Sequence, residues 1–213
     1  MTFHPPKHIQ EILSNEGVLC IVGTGRSGKT ALGHLLATTS NKPKYVIDYP
    51  QSSISCCPSD WKTIEPENVF SLKDCVLILD DAALFASSRN YNSPYQKAWV
   101  QFQTIISHKR ITLIYIIQST NLIDIGTLRS QRMAILYKYS DETNIMYERD
   151  EFKTVAATTR LIISKLRLKY PQVHEKAWVY DHTLGKSWKH PLPQHWTPLL
   201  STPYRDYEVK LNG

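Results

Sequence analysis

Residues 23–30 read Gly23-Thr24-Gly25-Arg26-Ser27-Gly28-Lys29-Thr30 and fill every position of the pattern G-x-x-x-x-G-K-[ST]. Glycine is scarce, eight in 213 residues, yet three of the eight fall inside this stretch. Such a loop lets backbone N–H groups approach a phosphate chain without a Cβ in the way. Lys29 would bring a mobile positive charge to the β and γ oxygens, and Thr30 would place its hydroxyl on a magnesium ion. Further along, Val76-Leu77-Ile78-Leu79 ends in the paired acids Asp80 and Asp81. The first acid suits water-mediated retention of Mg2+, and the second suits polarisation of the attacking water. A third apolar run, Ile111 to Ile117, delivers the neutral amide of Gln118, which could hydrogen-bond a γ-phosphate or the lytic water.

These groups need elements to hold them. Val18 to Val22 is a short apolar run, and Ala31, Leu32, Leu35 and Leu36 follow the loop at helical spacing. The phosphate loop is therefore expected to join a buried strand to a helix N-terminus. Strands are expected near 18–22, 44–49, 75–79, 111–117, 133–138 and 176–181, with helices at 29–39, 94–108 and 143–170. Strands alternating with helices predict a mostly parallel, three-layer α/β sheet. The stretches 51–66 and 85–93, rich in Ser, Pro and Asn, read as loops. In the last helix Val155, Ile162, Ile163, Leu166 and Tyr170 share a face, and Lys153, Arg160 and Arg167 recur beside it. That basic row is either a solvated flank or a strip for DNA phosphates.

His108-Lys109-Arg110 ends the 94–108 helix and precedes the strand that ends in Gln118. In a parallel sheet a strand starts opposite its own nucleotide edge. Arg110 would thus serve a neighbouring subunit better than its own site, as a cation for charge developing on the transferring phosphoryl group. Arg89, Arg129 and Arg132 compete for that role. No N-K-x-D sequence for reading a guanine base is present, since Asn41-Lys42-Pro43-Lys44 lacks the acid, and there is no ABC signature.

The composition narrows the class further. At 42% hydrophobic and 21% charged residues the chain reads as a globular protein of one ordinary domain, and its longest apolar run is too short to span a bilayer. The start, Met1-Thr2-Phe3-His4-Pro5-Pro6, has no apolar signal region, so the chain is expected to stay in the cytoplasm. The net charge of +6 is uneven: residues 1–150 carry 15 Lys/Arg against 14 Asp/Glu, residues 151–213 carry 10 against 5. The excess favours a polyanionic partner such as nucleic acid. Cys20, Cys56, Cys57 and Cys75 show no zinc-type spacing; Cys20 and Cys75 read as buried hydrophobes, and the Cys56-Cys57 pair finds no role.

The order of GTGRSGKT at 23–30, VLILDDA at 76–82 and SHKRITLIYIIQST at 107–120 resembles the FtsK/HerA superfamily, and within it the genome-packaging ATPases of double jelly-roll icosahedral viruses, turreted archaeal viruses included. Residues 133–138 look like the next strand of that pattern. Residues 176–181 and 186–190 look like its terminal hairpin around Thr183-Leu184-Gly185. The resemblance implies a three-layer P-loop NTPase fold of the ASCE type with a C-terminal β-hairpin. It divides the chain into an N-terminal segment 1–16, an ATPase domain 17–193 and an extended Pro/aromatic tail 194–213. It also implies ATP and Mg2+ as ligands and hydrolysis coupled to packaging of double-stranded viral DNA. A homo-oligomeric ring, hexameric in the family, capsid or vertex proteins as partners, and a place in the infected cell's cytoplasm or on the virion follow from it as expectations. Asp81 stands where many relatives carry Glu. A small-metabolite phosphotransferase or an assembly ATPase that does not move DNA are the competing readings; the first would need an Arg-rich lid that the sequence does not display.

Overall fold

In a computed structural model of the protein, described over residues 3–80, 94–123, 125–128 and 132–204, eight strands form one sheet. They are β1 (Gly17–Val22), β2 (Lys44–Ile47), β3 (Trp61–Ile64), β4 (Val76–Asp80), β5 (Thr112–Ile117), β6 (Met133–Tyr137), β7 (Trp178–Asp181) and β8 (Lys186–Lys189). Their order is β3-β2-β4-β5-β1-β6-β7-β8, with the first six parallel and the last two added antiparallel as a hairpin. The fold is thus the mostly parallel α/β sheet with a C-terminal hairpin that the sequence predicts.

The central strands are buried at every position, because helices cover both faces of the sheet. Side chains alternate between those faces. Cys20, Val22, Leu77, Leu79, Leu113 and Tyr115 go to one core with Trp99 and Phe102 of helix α4 (Pro94–Thr104). Leu19, Ile21, Ile78, Ile114 and Ile116 go to the other with Leu32 and Leu36 of helix α2 (Lys29–Thr38). Helix α1 (Lys7–Ser14) belongs to this second layer: Ile9, Ile12 and Leu13 are buried there, so residues 7–14 are part of the packed body.

Three readings need correction. The stretch 51–66 is not all loop; it contains a single helical turn, α3 (Gln51–Ile54), and the edge strand β3, whose buried Trp61 packs on His34. A four-residue strand between Pro- and Ser-rich flanks is too short to show a period. The 94–108 helix ends at Thr104. The 143–170 helix is two, α6 (Glu142–Met146) and α7 (Asp150–Lys169), separated where Glu148 turns inward to bond the segment after β5. Between β5 and β6 lie a 3-10 turn (Thr120–Leu122) and a short helical turn, α5 (Ile125–Leu128). The expected loop at 85–93 lies outside the described residues. Among the described residues no helix is long and apolar enough to cross a membrane.

The tail is anchored on its own domain. Leu200 is fully buried in the second core, Trp196 and Tyr204 pack against it, and the Tyr204 hydroxyl donates to the carbonyls of Ile47 and Asp80 at 3.1 and 3.3 Å.

Candidate active site

The loop 23–30 leaves β1 at the C-terminal edge of the sheet and runs into α2. Gly28 caps the helix at φ 89°, a conformation that costs an L side chain about 1 kcal/mol or more. A Cβ there would also stand 3.2 Å from the Lys176 Cβ and carbonyl oxygen. Arg26 takes the left-handed conformation as well, at φ 61°. One turn into α2, Gly33 permits close packing on β5, where a Cβ would lie 2.7 Å from Ile116 Cδ1. The helix is thereby seated so that the N–H groups of its first turn face the loop's concavity, the arrangement that holds anions. Lys29 is buried, and its Nζ donates to the Thr24 carbonyl at 2.7 Å, lying across the loop it serves.

Parallel register brings the other groups to the same edge. Val22 aligns with Ile117, and Ile116 with Asp80, so Gln118 emerges beside the phosphate loop and Asp80 one strand further on. The Thr30 hydroxyl donates to Asp80 Oδ1 at 3.2 Å, and Tyr49 donates to Asp80 Oδ2 at 2.7 Å. A hydroxyl at a helix N-terminus beside a buried carboxylate is a donor set of hard oxygens that fits Mg2+. Gln118 is exposed, and its carbonyl accepts from Asn144 at 3.0 Å. Asp81 lies outside the described residues, as do Arg89 and Arg129.

Several residues that the sequence did not single out complete the site. Glu148 is buried and accepts from Ser119 Oγ at 3.2 Å, from the Thr120 N–H at 2.9 Å and from the Thr120 hydroxyl, bracing the segment that carries Gln118. Asp141 accepts from Thr24 Oγ1 at 2.6 Å and caps α6 through the Asn144 N–H at 2.8 Å. The Thr24 hydroxyl, and then the Asn144 N–H, hold its carboxyl below the usual carboxylate range. Lys138 is fully buried behind the loop, and its Nζ reaches the Lys176 carbonyl at 2.6 Å and His190 Nε2 at 2.9 Å. Burial, and then the charge of Lys29, lower its pKa to about 7; burial, and then Lys138, lower that of His190 to about 3. No period or motif marks these residues, because their partners come from distant elements.

Among the described residues two cavities adjoin the loop. One of about 690 Å3 is lined by Lys29 and Thr30 on one side and by His174, His190, Leu192 and Trp196 on the other. A second, of about 290 Å3, lies between Thr24–Ser27 and Tyr139, Arg167 and Lys176. Arg167 is stacked on the Tyr139 ring at 5.2 Å, while Lys153 pairs with Asp150 and Arg160 with Glu142, both at 2.8 Å. The row of three cations is therefore not one uniform strip: two pair with local acids, and the third lines a cavity at the phosphate loop.

Arg110 stands two residues before β5 at the opposite edge, exposed, at φ 53° and ion-paired with Asp74. Arg132 lies at the same edge, paired with Glu16. Neither is brought to the phosphate loop of its own chain.

No protein-family model matches the sequence, and no curated protein does. Solved structures do. The DNA-packaging ATPase from Sulfolobus Turreted Icosahedral Virus superposes with a TM-score of 0.52 at 16% identity, covering 84% of this chain and 98% of that one. The genome-packaging NTPase of Sulfolobus turreted icosahedral virus 2 does so with a TM-score of 0.54 in complex with sulfate and 0.52 in complex with ATP-gammaS, each at 13% identity and the same coverage. At such identities the likeness is one of fold, and the fold is that of the viral packaging ATPases whose motif order the sequence resembles.

Proposed function

We propose that this protein is an ATP-hydrolysing DNA translocase that packages a double-stranded viral genome into a preformed capsid, working as a homo-oligomeric ring. The observation that carries the reading is the convergence at one sheet edge of the phosphate loop, the Thr30–Asp80 pair and Gln118, beside a cavity of about 690 Å3. The β- and γ-phosphates fit the loop, where Lys29 and the first turn of α2 hold them. The cavity toward Trp196 and Leu192 suits the nucleoside. Mg2+, held by Thr30 and through water by Asp80, would neutralise charge on the phosphate oxygens. Asp81 follows Asp80 directly and takes the role of polarising water; Gln118 orients that water or senses the γ-phosphate.

The DNA part of the reading draws on the fold likeness and on the basic excess of residues 151–213. Capsid or vertex proteins would hold the ring, in the infected cell's cytoplasm or on the virion. The test is steady-state ATP hydrolysis with and without duplex DNA. Hydrolysis stimulated by DNA is expected, with Lys29→Ala losing nucleotide binding and Asp81→Asn keeping binding while losing turnover. ATPase activity indifferent to DNA of any length would remove the translocase and leave a nucleotide hydrolase of another kind.

A further inference from the structure

Cys57 belongs to the cysteine pair for which the sequence offers no role, and the fold brings it to two histidines far from it in the chain. His34 of α2, Cys57 after α3 and His195 of the tail present ligand atoms that all lie within 4.8 Å of one another. His34 Nδ1 and His195 Nε2 are 3.3 Å apart. Two nitrogens bound at about 2.05 Å to one tetrahedral Zn2+ stand about 3.3 Å apart, so the imidazoles already have the bite of a zinc site. We propose that His34, Cys57 and His195 form a Zn2+ site, with the fourth position open to water.

The hydrogen bonds around His34 orient it for this task. Tyr49 gives its own proton to Asp80 Oδ2, so its oxygen can only accept at the 3.2 Å contact with His34 Nε2. The Nε2 atom must then carry the hydrogen. His34 is fully buried, a setting that favours the neutral ring with a single N–H. Its Nδ1 is consequently a lone pair aimed at His195. This is the outer-shell pattern of metal-bound histidines, in which the far ring nitrogen donates to an oxygen that fixes the tautomer. Trp61 and Trp196 wall the cluster, with ring centroids 4.6 and 5.7 Å from that of His34. Cys57 closes the remaining distance by rotating its side chain, whose sulfur makes a long 3.9 Å contact with the Ser53 carbonyl. Binding releases the thiol proton to solvent and leaves the thiolate on the metal. Cys56 turns instead to the Ser52 carbonyl at 3.5 Å and is not a ligand.

The site would clamp the tail to α2 and to the turn after α3. Since His195 is adjacent to Trp196, a wall residue of the larger cavity, the metal would fix one side of that cavity. The inference does not depend on the nucleotide reading, because it is tested without ATP. The experiment is a Co2+ titration of the reduced full-length protein under anaerobic conditions, followed by displacement with Zn2+. One equivalent is expected to give a near-ultraviolet thiolate-to-metal charge-transfer band and the intense visible bands of tetrahedral cobalt. Co2+ held by Thr30 and Asp80 would give neither, having only oxygen ligands. Cys57→Ser should abolish the charge-transfer band, Cys56→Ser should keep it, and His195→Gln should weaken binding at least tenfold. Zn2+ at a hundredfold excess over its Kd should raise the Tm by about 5–10 °C. Absence of a thiolate band in the wild type, a band surviving Cys57→Ser, or unchanged affinity in His195→Gln would each overturn the proposal. His195 is half-exposed in the tail, so its variant tests the site even where a change at Cys57 prevents folding.

Discussion

Tyr49→Phe removes the hydroxyl that orients Asp80 and with it the acceptor that faces His34 Nε2. The hydroxyl donates to a carboxylate oxygen at 2.7 Å in a setting where Tyr49 is 3% and Asp80 5% exposed, so water cannot readily replace it. Hydrogen bonds to a charged group contribute about 1.5–3 kcal/mol, and we take about 2 kcal/mol for this one. The ring should stay in place through its packing on Tyr204, with centroids 5.5 Å apart, and on His34, at 5.9 Å, while His34 Nε2 loses its acceptor, a loss that the cycle below separates from the Asp80 bond. For a chain of this length 2 kcal/mol corresponds to a Tm about 4–8 °C lower. The effect on turnover follows from orientation. The Thr30 hydroxyl, at 3.2 Å, is a longer contact, so the carboxylate is freer to rotate away from the metal position. A loss of 1.4 kcal/mol in that orientation is one decade, so half-saturation by Mg2+ in ATP hydrolysis should rise about tenfold. The assays are thermal unfolding without ligand and a Mg2+ titration of hydrolysis at saturating ATP. A double-mutant cycle with Asp80→Asn assigns the loss to this pair. A Tm within 1 °C of wild type together with an unchanged Mg2+ dependence would refute the assignment of Asp80 as a carboxylate aimed by Tyr49.

Four other outcomes follow from the same geometry. His190, at about 3 in the folded protein, contributes stability above its ordinary 6.5 that is lost as pH falls toward 3; His190→Gln should flatten the acid limb of Tm against pH. Lys138, at about 7, acts at the other end: the unfolded chain binds the extra proton between about 7 and 10.5, so stability should rise with pH across that window and lose this slope in Lys138→Met. Gly33→Val would drive a methyl-bearing Cβ toward Ile116 Cδ1, 2.7 Å from even an unbranched Cβ, and should cost about 1–3 kcal/mol by thermal unfolding, with any loss of hydrolysis following from displacement of α2. Mixed Arg110→Ala and Lys29→Ala subunits should recover part of the hydrolysis that each lacks alone; full activity of Arg110→Ala by itself would reject this arginine.

What the sequence made legible was whatever is local or periodic. The phosphate loop is a contiguous string, and β1, β4 and β5 are apolar runs because both of their faces are covered. Their order and register then place Asp80 and Gln118 at the loop without further information. Illegible were residues whose meaning depends on a partner far along the chain. Glu148 reads as a surface acid inside the expected 143–170 helix until its bonds to Ser119 and Thr120 are seen, and Lys138 as a strand end until His190 lies against it. The same blindness hid the His34–Cys57–His195 cluster, whose members are 23 and 138 residues apart, since zinc patterns are recognised by short spacings. In the tail the prolines exclude regular helix, and Leu200 and Tyr204 are held by burial and by hydrogen bonds that need no helix.

Sheet polarity sets a limit on what one subunit can do. From Arg110 to Gln118 the chain crosses the sheet along β5, and eight residues at about 3.3 Å each span about 26 Å. No arginine side chain covers that distance, and Arg132, at the same edge beside Glu16, meets the same obstacle. A cation from this edge can therefore reach a transferring phosphoryl group only in another subunit. Arg110 is fitted for such a transfer, since it is exposed on a backbone fixed at φ 53°, with its carbonyl held by Lys42 at 2.9 Å. Its ion pair with Asp74 is a surface pair of the kind that contributes little and is readily exchanged for a phosphate. If Arg110 is the catalytic cation, hydrolysis per subunit should climb with protein concentration until the ring forms, because an isolated chain holds the phosphate site and the arginine on opposite edges of one rigid sheet.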